Sequence, residues 1–128
     1  MVSAILLTIP LTLGDLCTPN NKDFSGYRYK ENVPVCERNV SPATKDKVCK
    51  RDGVKDRTNY LVDHFFPLSL GGSNSEKNLW CEPKSLNTAP QEYKLYEELK
   101  NGTKNQADVL FEIKMLKTKI ITDLNRGI

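Results

Sequence analysis

Residues 60–87 constrain the fold more than any other part of this 128-residue chain. They contain the only histidine, His64, which directly follows Asp63 within a run of apolar and aromatic residues. Such a run favours a short strand that ends near the Asp-His pair. Gly71-Gly72 then favours a loop, and residues 78–80 favour a second strand. The pattern predicts the order strand, loop, strand, helix.

Asp63 and His64 place two reactive groups next to each other at the end of the first predicted strand. Neighbours in an extended strand point to opposite faces unless the backbone bends. A carboxylate is a hard oxygen ligand suited to Mg²⁺ or Mn²⁺, whereas a neutral imidazole either binds a transition metal or takes a proton from water. Metal-assisted hydrolysis uses this combination of groups.

Several short segments of this region together resemble the signature of the HNH endonucleases, the ββα-metal or His-Me finger motif. The chain is most similar to the small secreted bacterial HNH proteins, whose motif continues through Asn-Leu-Trp-x-Glu-Pro. The segments that carry the resemblance are Asp63-His64, the loop Pro67-Leu68-x-Leu70-Gly71-Gly72, the run Asn78 to Pro83, and Asn87. They fall within residues 60–90, so the resemblance leaves most of the chain unassigned.

The resemblance implies a role for each matching residue. Asp63 would bind a metal ion, and His64 would be the general base that deprotonates the attacking water. Asn78 would hold the histidine loop in shape by hydrogen bonds across the hairpin. Asn87 would complete the metal shell at the start of the helix. An Asn carbonyl favours a hard, partly hydrated ion over zinc, which makes Mg²⁺ the expected cofactor, with Mn²⁺ or another transition metal as alternatives.

Each of these residues also has a plainer interpretation. A single histidine among apolar residues is often a hydrogen-bonded structural residue. Asn87 precedes Thr88 in a sequence that also suits the start of a helix. Glu82 is either a further ligand or a solvated surface charge, and we expect the solvated charge.

The first thirteen residues are mostly apolar, but Pro10 interrupts them and the run is too short for a membrane span. We predict a signal peptide over residues 1–14, cleaved before Asp15. The run carries no Lys or Arg at its start, so an N-terminal core strand is the alternative. Export to the periplasm or the medium follows from the first interpretation.

Four cysteines lie beyond the predicted cleavage site, and no two of them form a Cys-x-x-Cys pair. This spacing disfavours the usual structural zinc site. An even number in a small exported chain predicts two disulfides, with three connectivities open. The residues are Cys17, Cys36, Cys49 and Cys81.

The net charge of +3 arises entirely between Asp15 and Arg57, because basic and acidic residues balance in the rest of the chain. Such a basic segment can contact phosphates without reading sequence, and Tyr27 and Tyr29 could stack on bases. An ordinary soluble surface is the alternative interpretation. The candidate nucleic-acid contacts are Arg28, Lys30, Lys50, Arg51, Lys77 and Lys84.

Three helices are expected. Residues 41–48 open a short one, and Thr88 to Gln91 has the spacing of a capping box for a second that ends at Asn101-Gly102. A third, from about residue 106 to 124, has an apolar stripe at helical spacing. The stripe comprises Val109, Ile113, Leu116, Ile120 and Leu124.

These observations predict a single α+β domain over residues 15–128 with a ββα-metal core. The expected function is metal-dependent endonuclease cleavage of DNA with little sequence specificity, and RNA is a second possible substrate. Two alternatives stay open: a secreted, disulfide-stabilised nucleic-acid-binding module without activity, and a nuclease toxin paired with an inhibitor protein.

Overall fold

The computed structural model describes residues 6–127 and shows a small α+β fold. Four strands form two separate two-stranded antiparallel sheets, and three helices follow or separate them. Two short 3-10 turns lie between the third and fourth strands. In chain order the elements are β1 (Phe24–Arg28), β2 (Val33–Cys36), α1 (Pro42–Arg51), β3 (Tyr60–His64), turns at Leu68–Leu70 and Glu76–Asn78, β4 (Leu79–Pro83), α2 (Ala89–Asn101) and α3 (Gln106–Asn125).

The β3–β4 hairpin confirms the predicted order of strand, loop, strand and helix. Its register pairs His64 with Leu79 at the loop end and Tyr60 with Pro83 at the open end. The fourteen residues between the strands fold back so that the backbone of Gly72 lies against the carbonyl oxygen of Phe66. A Cβ at position 72 would be only 1.8 Å from this oxygen. Only glycine fits this approach, which explains the Gly-Gly pair in the loop.

The β1–β2 hairpin was not expected from the sequence. Its connecting turn holds Tyr29 and Asn32 at φ values of 67° and 58°, which are unusual for residues other than glycine. The Tyr29 hydroxyl donates a hydrogen bond to the carbonyl oxygen of Ser69, 2.6 Å away. The turn is therefore anchored on the β3–β4 loop.

The helices begin and end close to the predicted residues. Ser41 caps α1 through its side chain, and Gly102 ends α2 in the left-handed conformation with φ 77°. Thr88 does not cap α2 through its side chain. The side-chain oxygen of Asn87 accepts from the Ala89 amide instead, at 3.2 Å.

The face of α3 that is buried differs slightly from the face that carries the predicted apolar stripe. Val109 and Ile113 are buried as expected, but the next buried positions are Lys117 and Ile121. The predicted stripe residues Leu116, Ile120 and Leu124 are only partly buried. The sequence pattern missed this because Lys117, a charged residue, occupies a core position.

The four cysteines form the two predicted disulfides. Cys17 pairs with Cys36 at the end of β2, and Cys49 of α1 pairs with Cys81 of β4. The second bond fastens α1 directly to the hairpin that carries Asp63 and His64. Disulfides of this kind are typical of extracellular and periplasmic proteins.

Residues 6–14 form an irregular segment that packs on the rest of the fold. Leu7, Ile9 and Leu13 belong to the larger of two buried apolar clusters. The amide and carbonyl of Ile9 both bond the side chain of Asn125 at the end of α3. This packing agrees with an N-terminal core segment, though not with a strand. Residues 1–5 of the predicted signal peptide lie outside the described residues, and cleavage before Asp15 stays a prediction.

Within residues 6–127, none of the helices combines the length and the apolar character that a membrane crossing requires.

Candidate functional site

Asp63 and His64 lie at the loop end of β3 and contact different parts of the fold. The Asp63 carboxylate lies near Lys117 of α3, whereas the His64 ring contacts Asn74 in the β3–β4 loop. The two side chains therefore point to opposite faces of the strand, as the alternation of an extended backbone requires. The candidate site has a histidine side and a carboxylate side.

On the histidine side, a chain of hydrogen bonds fixes the imidazole ring. Nε2 of His64 lies 3.0 Å from Oδ1 of Asn74. Nδ2 of Asn74 donates to Oδ2 of Asp23 at 3.0 Å and to the backbone oxygen of Glu37 at 2.7 Å. The backbone amide of Asn39 also donates to Oδ1 of Asn74, so this oxygen is the acceptor that faces the ring.

These contacts assign the tautomer of neutral His64. Because Asn74 presents an acceptor, Nε2 must carry the proton, and Nδ1 is left with a free lone pair. Burial lowers the pKa of His64 below 6.5, against a smaller opposing effect of the Asn74 hydrogen bond. The whole residue is only 3% exposed. His64 is thus a neutral, oriented imidazole at pH 7.

Asp23 carries a negative charge at the far end of this chain. Its hydrogen bond from Asn39, with a smaller contribution from Asn74, lowers the pKa of its carboxyl below the usual 3.8. A carboxylate that fixes an amide, which in turn fixes an imidazole, is a common way to orient a catalytic base. No local pattern points to Asp23 or Asn74, because Asp23 lies 51 residues before Asn74 in the chain.

Asn78 holds the loop that carries Asn74. Its Oδ1 accepts from the Phe66 amide at 2.9 Å and from the Asp15 amide at 3.3 Å. Its Nδ2 donates to the carbonyl oxygens of Phe66 and Ser73, at 3.0 Å and 2.8 Å. The fully buried side chain therefore makes the loop contacts expected of it, while its part in catalysis stays a prediction.

On the carboxylate side, Lys117 is enclosed by acceptors. Its Nζ donates to Oε1 of Glu92 and to the backbone oxygen of His64, both at 2.8 Å, and lies 3.4 Å from Oδ2 of Asp63. The side chain is fully buried. A buried ammonium is tolerated only when it is paired and hydrogen-bonded in this way.

Glu82 completes this cluster, and the expectation that it is a solvated charge is wrong. The pKa of Glu82 is raised to about 8, mainly by burial. A hydrogen bond with Asp63 and repulsion by the Asp63 charge also contribute to this rise. Glu82 follows Trp80 by two residues, so its side chain lies on the Asp63 face of the hairpin. Near neutral pH, Glu82 is mostly protonated and shares its proton with Asp63.

No hydrogen bond joins Asp63 and Asn87, the two predicted metal ligands, and their metal role stays a prediction. Asn87 is exposed and bonds the Ala89 amide, with no hydrogen bond to Asp63. Across residues 6–127, no three His, Cys, Asp or Glu side chains are arranged to hold a metal ion. The carboxylates of Asp63 and Glu92 suit a hard cation, but as placed their charge is met by Lys117.

The predicted nucleic-acid contacts occupy different parts of the surface. Arg28 and Lys30 line a cleft with residues of α2, while Lys50 lines a separate cleft beside α1. Lys77 and Lys84 are exposed. Arg51 is not a free cation, because its guanidinium donates to Asp52 and to the carbonyl oxygens of Glu76 and Leu79.

Arg51 and Asp52 instead clamp α1 on the hairpin. The Asp52 carboxylate is fully buried and accepts from the Cys81 amide at 2.8 Å, next to the disulfide. Burial raises the pKa of Asp52, and its hydrogen bond with Arg51 opposes this rise. Arg51 therefore has a structural role, and its contact with phosphate stays a prediction.

Comparisons of the chain with protein-family models, with curated proteins and with solved structures found no match.

Proposed function

We propose that the protein hydrolyses phosphodiester bonds in nucleic acid, with DNA as the expected substrate and RNA as the second. The observation that carries the proposal is the fixed neutral imidazole of His64 at the end of β3. In this proposal β3, β4 and α2 form a ββα-metal unit of the kind seen in HNH nucleases. The sequence resemblance and the order of the three elements support it.

His64 acts as the general base in this proposal. Nδ1 takes a proton from a water molecule whose oxygen attacks phosphorus, and the bond from phosphorus to the leaving oxygen breaks. The leaving oxygen takes a proton from solvent. A positioned base contributes typically 10²–10⁴-fold to such a reaction. The pair Asn74 and Asp23 would keep the ring in the tautomer that makes Nδ1 available.

A divalent ion, where one is bound, supplies Lewis acidity and charge stabilisation to phosphoryl transfer. The donors around Asp63 are engaged with Lys117 and do not form such a site as placed. No step in our account passes through a metal. Metal dependence is therefore a separate arm of the experiment.

Cleavage of supercoiled plasmid tests the proposal directly. The oxidised protein is incubated with Mg²⁺, with Mn²⁺ or with excess EDTA, beside His64→Ala, Asn74→Ala and the control Asn101→Ala at the exposed end of α2. We expect nicking by the wild type and the control, a loss of at least 100-fold in His64→Ala and an intermediate loss in Asn74→Ala. Absence of cleavage by the folded wild type in every arm, with the plasmid and also with a single-stranded DNA and the RNA of the same sequence, would overturn the proposal.

A nucleic-acid-binding protein without turnover is the second candidate. The low exposure of the His64 ring favours it, since a base must reach its water. Binding of nucleic acid in a separate binding measurement, without cleavage of any substrate, would select this candidate.

A further inference from the structure

A cleft of about 550 Å³ lies between the β1–β2 turn and α2, on the surface of the protein. The turn contributes Arg28, Tyr29 and Lys30, and α2 contributes Tyr96 and Lys100. Three of these five residues are cations, and none is acidic. The cleft is therefore a concentrated site of positive charge in a chain whose net charge is only +3.

The three cations are available to an outside ligand. Arg28, Lys30 and Lys100 are all exposed, and none of them belongs to an ion pair among residues 6–127. The neighbouring Glu31 keeps its negative charge, but its carboxylate is directed to the start of α3, where it accepts a hydrogen bond from the Gln106 amide. The charge of the cleft is thus free to meet phosphate groups.

Tyrosine rings lie between these cations in fixed positions. The rings of Tyr29 and Tyr96 lie 6.2 Å apart at 73°, and Tyr93 lies 5.9 Å from Tyr96. Nζ of Lys100 is 5.8 Å from the centre of the Tyr96 ring. Rings held by the protein can stack on bases at little ordering cost, and alternating cations and aromatic rings are typical of sites that bind single strands.

The cleft continues toward the candidate site. A second cleft of about 330 Å³ shares Tyr96 with the first and reaches Glu92, one turn earlier on α2. Glu92 in turn bonds Lys117, which contacts Asp63 and the backbone of His64. The distance along the helix from Glu92 to Lys100 is about 12 Å. The surface along α2 thus runs from the basic cleft as far as Glu92, which is paired with the buried Lys117 on the carboxylate side of the candidate site.

We propose that this surface, centred on Tyr96, binds single-stranded nucleic acid. The bases of a duplex are stacked on each other, so a duplex can offer the cleft its phosphates but not the faces of its bases. A single strand offers both, and the cleft contains partners for both. The inference deepens the proposed function by naming the form of its substrate, but it is tested by binding alone.

Fluorescence anisotropy with the oxidised full-length protein in EDTA provides this test. The probes are a labelled single-stranded DNA 12-mer, the RNA of the same sequence, and the DNA duplex. We expect either single strand to bind at least ten-fold more tightly than the duplex. The DNA and RNA arms identify which strand is preferred, and a preference for either supports the proposal.

Variants locate the site. Tyr96→Leu should weaken single-strand binding about ten-fold, whereas Tyr96→Phe keeps the ring and the affinity. Lys100→Gln should reduce the slope of log affinity against log salt by about 0.7. Phe111→Leu, at an exposed aromatic residue of α3 outside the cleft, is the matched control and should bind as the wild type does.

Equal or tighter binding of the duplex would overturn the inference, and so would equal affinities of Tyr96→Leu and Phe111→Leu. If Tyr96→Leu does not fold, Lys100→Gln still tests the cleft, because Lys100 is exposed and its replacement should not disturb folding. An unchanged salt slope for Lys100→Gln would count against the cleft. Single-strand binding without cleavage of the plasmid or of either single strand would overturn the proposed function and support the binding surface. Cleavage without single-strand preference would do the reverse.

Discussion

The ammonium of Lys117 contacts both residues of the Asp63-His64 pair. Its Nζ lies 2.8 Å from the backbone oxygen of His64 and 3.4 Å from a carboxylate oxygen of Asp63. α3 thereby fixes the end of β3 from 53 residues away. The same Nζ reaches Glu92, so one buried cation joins β3, α2 and α3. The two faces of the candidate site are held by separate means, Lys117 on one side and Asn74 on the other.

Lys117→Met should destabilise the protein by about 3 kcal/mol, because it leaves partly buried carboxylates without their counter-charge. Lys119→Met, an exposed lysine on the same helix, should cost little. Urea unfolding of the two variants measures the difference. Equal stabilities would mean that the cluster around Lys117 contributes nothing to folding.

Asn78→Ala should cost at least about 2 kcal/mol, since it leaves buried backbone groups of the loop without partners. Asn87→Ala removes only an exposed bond to the Ala89 amide and should cost less than about 1 kcal/mol. We also expect Asn87→Ala to cleave plasmid as the wild type does. A metal role for Asn87 would instead abolish cleavage while leaving the unfolding curve unchanged.

The N-terminal segment offers two positions with opposite environments. Ile9 is 2% exposed and Leu11 is 58% exposed. In the full-length chain, Ile9→Ala should lower the unfolding free energy by about 2–4 kcal/mol, whereas Leu11→Ala should leave it nearly unchanged. N-terminal sequencing of protein recovered after export checks the predicted cleavage. A mature protein that begins at Asp15 and retains full stability would show that the segment is dispensable.

Glu82 should make stability fall as the pH rises. Its pKa is about 8 in the folded protein against 4.5 for an ordinary glutamate, so the folded state holds this proton more tightly. The stabilisation that this proton gives to the folded state is fully present below pH 4.5 and is lost as the pH rises toward and through 8. Glu82→Gln keeps a neutral side chain and should flatten the decline in Tm between pH 5 and 8. The exposed control Glu37→Gln should follow the wild-type curve, and a Glu82→Gln curve parallel to it would refute the assignment.

The sequence predicted those parts of the fold that local patterns encode. The β3–β4 hairpin, the end of α2 at Gly102 and the start of α3 at Gln106 follow from strand propensity, a C-terminal glycine and helical periodicity. The disulfides were expected, but their pairing required the fold. The β1–β2 hairpin was missed because its turn uses Tyr29 and Asn32 at positive φ, where glycine is the usual signal.

The partners of the site residues could not be predicted, because they come from distant segments. Asp23 reaches His64 only through Asn74, and nothing local to Asp23 indicates this. Lys117 did leave a signal, since it falls at the four-residue spacing of Val109, Ile113 and Ile121. A lysine at a core position of a helix indicates a buried acidic partner, and Asp63 and Glu92 are those partners.

The dependence of the cleavage rate on pH tests the central claim, that neutral His64 is the base, most directly. Burial lowers the pKa of His64 below 6.5 in the folded protein, and Nδ1 accepts a proton only when the ring is neutral. We predict that the rate rises with a midpoint below pH 6.5, stays level to at least pH 8, and is reduced at every pH in His64→Ala. A rate that is flat from pH 4 to 8, or that His64→Ala leaves unchanged, would contradict the account.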